Sequence, residues 1–137
     1  LMGEAVVITN PELKPFFRFN LKQNGAMMAK GWLLGVQFLG LFKNNAFFQC
    51  AKHANNLAGR LQDVLIELKY PIYMKSDTNQ IFPIVTLEQF EYFKERVEFE
   101  VWEKREDSVV IRFVTSWHTT EAEVDALIEV IKEAANL

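Results

Sequence analysis

The clearest pattern of hydrophobic and polar positions lies near the middle of the chain, where apolar residues recur at alternating spacings of four and three. This spacing predicts one amphipathic helix of roughly twenty residues with a polar outer face. Its apolar positions are Phe47, Ala51, Ala54, Ala58, Leu61, Leu65 and Leu68. The helix is therefore expected to be half buried.

The residues before this helix follow a different pattern. They predict a strand at residues 3–9, a short helix from about 11 to 22, and a helix from about 26 to 42 that is apolar around its whole circumference. Such a helix needs a cover on every side, and residues 1–42 are too few to supply one. Because the chain also opens within the predicted strand, we expect it to be a segment of a longer protein, with most of this first unit missing or supplied by another chain.

After residue 70 the pattern changes to that of an antiparallel sheet covered by helices. Runs of β-branched and aromatic residues predict strands at 70–74, 80–85, 98–103 and 108–117. Two capping boxes, Thr86 with Gln89 and Thr120 with Glu123, predict the starts of two helices. Residues 43–137 are therefore predicted to form a small two-layer α+β (α/β) domain.

The composition excludes several classes of protein. Half of the 137 residues are apolar (50%), which is enough for a folded core. The net charge of −3 comes without a basic stripe, which argues against a nucleic-acid partner. A single cysteine and two histidines provide neither an internal disulfide nor a metal site and favour a cytoplasmic protein. The apolar run from Gly31 to Phe42 is too short to span a membrane.

The candidate functional residue is Arg112, a permanent cation in the middle of the apolar, β-branched run 108–117. A guanidinium shielded from water needs an acceptor of matching shape, which is a carboxylate or a phosphate. The run therefore allows an anion-binding site. On this run alone the more ordinary interpretation is a solvated face of the strand on which Arg112 pairs with Glu100 or Glu103 of the strand before it.

Several short segments form an ordered series along the chain: Gly3-Glu-Ala-Val-Val-Ile-Thr9, Phe19-Asn-Leu-Lys-Gln23 with Ala29-Lys-Gly31, Ala51-Lys-His-Ala-Asn55, Thr78-Asn-Gln80 and Ile111-Arg-Phe-Val-Thr115. In this order and at compatible spacing they resemble the C-terminal half of pyridoxal-phosphate-dependent enzymes of the threonine aldolase and β-eliminating lyase family. The resemblance covers nearly the whole chain. No single segment is diagnostic, and its weight comes from the series.

The resemblance implies a fold-type I, aspartate-aminotransferase-like fold, in which a large cofactor-binding domain precedes a small C-terminal domain. Residues 1–42 then correspond to the end of the large domain, as a strand, a helix and a helix, and residues 43–137 to the small domain. In such enzymes the Schiff-base lysine stands just before the strand that corresponds to residues 3–9. The resemblance therefore implies that pyridoxal phosphate belongs to the parent enzyme, and that this chain holds no catalytic, cofactor or metal residue and is inactive alone.

The family resemblance also implies roles for three residues. Arg112 matches the position that binds the α-carboxylate of the amino-acid substrate. Lys22 and Lys30 flank a loop that approaches the active site in the family, often that of a neighbouring subunit, which implies a homo-oligomer. The chemistry implied for the parent is cleavage of a bond at the substrate's α-carbon, with the cofactor ring as electron sink.

One position departs from the family pattern. Classical threonine aldolases usually carry histidine after the Val-Thr pair, whereas Ser116 and Trp117 follow Thr115 here. Aldol cleavage of threonine and a related β-elimination both stay open as a result. The alternative is a self-contained, non-enzymatic α+β module in which Arg112 anchors a small anion or a partner.

Overall fold

The computed structural model describes residues 2–137. The chain divides into two compact units, Leu1–Phe47 and Phe48–Leu137. In the second unit a four-stranded antiparallel sheet is built around its longest strand. The strands are β1 (Gln80–Ile81), β2 (Ile84–Thr86), β3 (Glu100–Lys104) and β4 (Ser108–Val114). All of the others pair with β4, which is therefore the centre of the sheet.

The two short strands β1 and β2 lie end to end on one side of β4. Ile81 stands opposite Phe113 and Ile84 opposite Val110, so both belong to one register. Pro83 separates them because it has no N–H to donate to a ladder, although its carbonyl accepts a hydrogen bond from the Ile111 amide at 3.1 Å. The predicted strand at 70–74 is reduced to an isolated bridge between Ile72 and Pro83.

Three further helices complete this part of the chain: Ala46–Glu67, Leu87–Lys94 and Glu121–Ala134. The first is the long amphipathic helix predicted from the four-and-three spacing. Both predicted capping boxes are present with their reciprocal hydrogen bonds. The two helix starts could be predicted from the sequence because each capping residue satisfies backbone donors of its own first turn.

Side chains alternate between the two faces of β4, and one face carries the core. Ile111 and Phe113 point into a cluster that the helices close, and Arg112 between them points to the opposite face. The buried helical members of the cluster are Leu57, Ala58, Leu61, Leu65, Phe93, Val124, Ile128, Ile131 and Ala134. The predicted antiparallel sheet covered by helices is confirmed.

In residues 2–45 the regular structure consists of short helical elements. They are a 3₁₀ turn at Pro11–Leu13, α1 (Phe17–Gln23), α2 (Trp32–Phe42) and a 3₁₀ turn at Lys43–Asn45. In chain order the long helix Ala46–Glu67 is then α3, Leu87–Lys94 is α4, and Glu121–Ala134 is α5.

Three predictions for the first unit need correction. The strand predicted at 3–9 is not formed, since no strand lies beside it within the described part of this unit. The helix predicted from 11 to 22 is interrupted at Pro15, which has no N–H, and at Phe16, whose φ of 60° is left-handed. The apolar helix starts at Trp32 and not at residue 26, since residues 29–31 form a turn before it.

The apolar helix α2 lacks a cover, as its composition suggested. It carries no charged residue, and Trp32 and Leu39 are 65% and 72% exposed. Among the described residues of the first unit none is fully buried. Residues 2–47 therefore present a large apolar surface of the kind that mediates association.

We expect the chain to self-associate at low micromolar concentration through α2, because exposure of so much contiguous apolar surface to water is unfavourable. Leu39→Glu should weaken the association, measured by sedimentation velocity. Ile66→Glu, which adds the same charge at an exposed position of α3, is the matched control and should leave it intact. A wild-type chain that sediments as a clean monomer would contradict this expectation.

Candidate functional site

Three of the segments that carry the family resemblance meet in the second unit, at the C-terminal end of β4. The Thr115 hydroxyl donates to the Ala54 carbonyl of α3 at 2.7 Å. The Asn79 side chain donates to the Thr115 carbonyl at 2.7 Å, and the Thr115 amide donates to the Asn79 carbonyl at 3.0 Å. Thr115 is buried, so these bonds satisfy groups that have no access to water. They fix the strand that carries Arg112 against α3 and β1.

Arg112 lies on the face of the sheet that points away from the core. Its Nη1 donates to the Gln80 Oε1 at 3.1 Å, and its Nη2 is ion-paired with the Glu100 carboxylate. The ring of Trp102 lies 5.6 Å from the guanidinium carbon, within the range of a cation–π contact. The strands on both sides of β4 thus hold the guanidinium in place.

The ion pair between Arg112 and Glu100 is half open to water. The Arg112 side chain is 20% exposed and that of Glu100 is 68% exposed. Such a pair contributes at most about 1 kcal/mol to stability. Of the two partners proposed from the sequence, Glu100 is the one the structure brings to Arg112, whereas Glu103 pairs with Arg105 at 2.6 Å.

One donor of the guanidinium is unsatisfied. The Arg112 Nε is buried, and among the described residues it is the one buried side-chain polar atom without a hydrogen-bond partner. A buried donor left unpaired costs about 1–3 kcal/mol. Nε and Nη2 form one edge of the planar guanidinium, and that edge matches the two oxygens of a carboxylate. The arrangement is therefore suited to receive an anion that spans both nitrogens.

Aromatic side chains shield this face of the sheet. Phe82 is buried and contacts Trp102 edge to face, with ring centroids 5.1 Å apart, while Trp102 itself is 50% exposed. Trp102 thus borders the guanidinium without entering the core. Nearby apolar surface lowers the local dielectric and strengthens a charge–charge contact there.

The two lysines predicted to lie in an active-site loop are in the first unit. Lys22 is in the last turn of α1 and Lys30 in the turn before α2, and both are exposed. Arg112 belongs to the second unit. The role of Lys22 and Lys30 in an active site stays a prediction.

The remaining candidate side chains have structural partners or face solvent. His53 on α3 donates from Nε2 to the Thr119 carbonyl at 2.7 Å. His118 is exposed beside Trp117. No group of histidine, cysteine, aspartate and glutamate within residues 2–137 has the arrangement of a metal site. Over the same residues, no helix has the length and apolar character that crossing a bilayer requires.

Known proteins similar to this chain are threonine aldolases. It is 29% identical over 133 residues to a low-specificity L-threonine aldolase of a Pseudomonas species, covering 92% of this chain and 36% of that enzyme. It is 28% identical over 76 residues to the low-specificity L-threonine aldolase of Pseudomonas aeruginosa, covering 52% of this chain and 22% of the relative. No family model matches the chain.

Solved structures give the same relationship. A threonine aldolase of Leishmania major superposes with a TM-score of 0.83 at 36% identity, covering 93% of this chain and 38% of that structure. A serine palmitoyltransferase of Sphingomonas wittichii superposes with a TM-score of 0.53 at 13% identity over 62% of this chain and 24% of its own, which shows a shared fold only.

The match thus covers 36%, 22% and 38% of the three threonine aldolases, well under half of each. The resemblance stated from the short segments is confirmed: over nearly its whole length, the chain is similar to part of a threonine aldolase. The fold class is confirmed with it.

Proposed function

We propose that this chain is the C-terminal part of a pyridoxal-phosphate-dependent lyase that acts on an amino acid, with Arg112 as the residue that binds the α-carboxylate. The observation that carries the proposal is the edge of Arg112 formed by Nε and Nη2, on which the buried Nε has no partner and Nη2 is paired with the exposed Glu100. It lies where segments shared with the threonine aldolases meet. The similarity to those enzymes over 92% of the chain supports the same assignment.

We propose that no lysine of this chain holds the cofactor. A Schiff-base lysine is enclosed in apolar surroundings that favour its neutral amine, whereas every lysine of this chain is exposed. We therefore place the cofactor and the lysine that holds it in sequence upstream of residue 1, within the parent enzyme. On this proposal the chain is inactive alone.

The task of Arg112 in the parent is to hold and orient the substrate. A carboxylate bound along Nε and Nη2 fixes one substituent of the α-carbon, so the bond to be broken is presented in one direction. Gln80 keeps the guanidinium in position through Nη1. Trp102, whose ring lies 5.6 Å from the guanidinium carbon, covers part of the site.

The reaction itself is proposed as either aldol-type carbon–carbon cleavage or β-elimination. Ser116 and Trp117 follow Thr115 where classical threonine aldolases carry histidine. The Ser116 hydroxyl is engaged with Thr119 and the His118 amide inside its own turn, and the Trp117 side chain is 69% exposed. Neither residue replaces an imidazole as a proton carrier, which keeps both reactions in the proposal.

The experiment is an assay of a polypeptide that contains this chain behind the upstream part of the fold. Threonine and allo-threonine report aldol cleavage through glycine and acetaldehyde, and an amino acid with a leaving group on the β-carbon reports elimination through a keto acid and ammonia. Turnover of either class supports the proposal. A cofactor-loaded polypeptide that binds neither class and turns neither over would refute it.

A prediction for the isolated chain follows from the exposed lysines. Incubation with pyridoxal phosphate and reduction with borohydride should label no single lysine stoichiometrically, because none has the enclosure that selects one amine over the others. Peptide mapping after reduction is the measurement. One lysine carrying a full equivalent of label would contradict the placement of the Schiff-base residue upstream.

The second unit also supports the alternative function, a self-contained anion-binding module. Its buried cluster, both capping boxes and the sheet lie within Phe48–Leu137, so this unit has the core that an independent domain needs. Anion binding by Arg112 without any cofactor chemistry in a longer polypeptide would favour the module.

We further propose a cytoplasmic homo-oligomer for the parent enzyme, with Lys22 and Lys30 at the active site of a neighbouring subunit.

A further inference from the structure

A carboxylate already occupies part of the proposed anion site. Glu100 stands opposite Arg112 across the β3–β4 ladder and is ion-paired with Nη2. Among the described residues no other hydrogen bond holds this carboxylate, and its side chain is 68% exposed. Glu100 can therefore leave Arg112 without leaving a buried charge behind.

We propose that Glu100 is an internal competitor for the anion site, and that a carboxylate ligand binds by displacing it from Arg112. This inference rests on the proposed function of Arg112 and adds to it the residue that sets the affinity and selectivity of the site.

The geometry explains why a ligand carboxylate displaces Glu100. Glu100 contacts Nη2 and leaves Nε without a partner. A carboxylate that spans Nε and Nη2 makes two parallel charge-assisted hydrogen bonds and satisfies the buried donor. Since Nε is buried, a ligand reaches it when a neighbouring side chain moves. Glu100 is paired with the adjacent Nη2 and is 68% exposed, so it can turn into water.

The same competition makes the site selective. A monatomic anion such as chloride has no pair of oxygens to match the two nitrogens, so it gains less than Glu100 does from Arg112. An anion with two oxygens that reach both nitrogens improves on the internal pair. Gln80 continues to hold Nη1 during the exchange, and the guanidinium keeps its orientation.

The test is a titration of the full 137-residue chain with acetate, in which the NMR signal of the Arg112 Nε–H group reports binding. The signal is assigned as the one that disappears in Arg112→Lys. Glu100→Gln removes the competing charge and should lower the apparent Kd for acetate by up to about fivefold, the most that an exposed ion pair contributes. Glu103→Gln is the matched control. It removes the same charge from the same strand, but Glu103 pairs with Arg105, so the apparent Kd should stay unchanged.

The outcomes separate this inference from the proposed function. A lower Kd in Glu100→Gln alone supports competition. Equal Kd values in wild type and Glu100→Gln, or an equal decrease in both variants, would overturn it and leave Arg112 as an anion site. If the Arg112 Nε–H signal in acetate is the same as in chloride at matched ionic strength, for wild type and every variant, both the anion site and the competitor role of Glu100 are refuted.

Discussion

Arg112→Ala, made in an active polypeptide that contains this chain, is expected to lower kcat/KM by about 30- to 5,000-fold, equivalent to roughly 2–5 kcal/mol. The substrate carboxylate would lose two charge-assisted hydrogen bonds and would remain in a partly desolvated site without a counter-charge. Arg112→Lys keeps the charge but not the planar edge, so it should recover only part of the loss. Steady-state kinetics with the amino-acid substrate measure both effects.

The melting temperature separates this role from a purely structural one. Arg112 is paired with the exposed carboxylate of Glu100, and loss of such a pair costs at most about 1 kcal/mol of stability. Arg105→Ala provides the control, since Arg105 pairs with Glu103 at the end of β3 in a similar setting. It should leave kcat/KM unchanged. Unaltered kinetics in Arg112→Ala would contradict carboxylate binding.

Phe93→Ala is expected to destabilise the second unit by about 3–5 kcal/mol, the usual cost of removing a buried phenylalanine. Phe93 is fully buried, and its ring contacts Phe113 of β4 edge to face at a centroid distance of 6.0 Å. It therefore supports the inner face of the strand whose outer face carries Arg112. The free energy of unfolding in urea is the measurement.

The control for this variant is Leu87→Ala. Leu87 is the first residue of α4, the helix that also carries Phe93, and is 49% exposed. Its truncation leaves no cavity, so the free energy of unfolding should fall by less than about 1 kcal/mol. A Phe93→Ala loss as small as that of Leu87→Ala would show that the ring cluster is not a tightly packed core.

Most elements of the second unit could be predicted from the sequence because the signals for them are local. The long helix, both capping boxes and the β3–β4 hairpin depend on spacing within a few residues. The partner of Arg112 was predicted only as Glu100 or Glu103, because that choice depends on a β-bulge at Trp102. The ladder pairs Val101 with Ile111 but Glu103 with Val110, and this extra residue has no sequence signature.

Contacts between residues far apart in the chain could not be predicted from local sequence patterns. Gln80 was noticed as part of a family-like segment, but its bond to Arg112 depends on β1 lying beside β4. The unsatisfied Nε likewise follows from packing around the side chain and from no spacing rule. In the first unit the strand prediction for 3–9 failed because a strand needs a neighbour to pair with, which β-propensity alone does not supply.

The irregularities at the two sides of the sheet disfavour aggregation through its edges. On one side Pro83 interrupts the strand and residues 71–73 lie against it, with the Tyr73 amide donating to the Phe82 carbonyl at 2.9 Å. On the other side the bulge at Trp102 breaks the regular row of backbone donors and acceptors on β3. Neither border offers a flat template for edge-to-edge strand addition. Concentrated or stored samples should accordingly associate through their apolar helical surface and not as cross-β fibrils. Thioflavin T fluorescence should not increase in them.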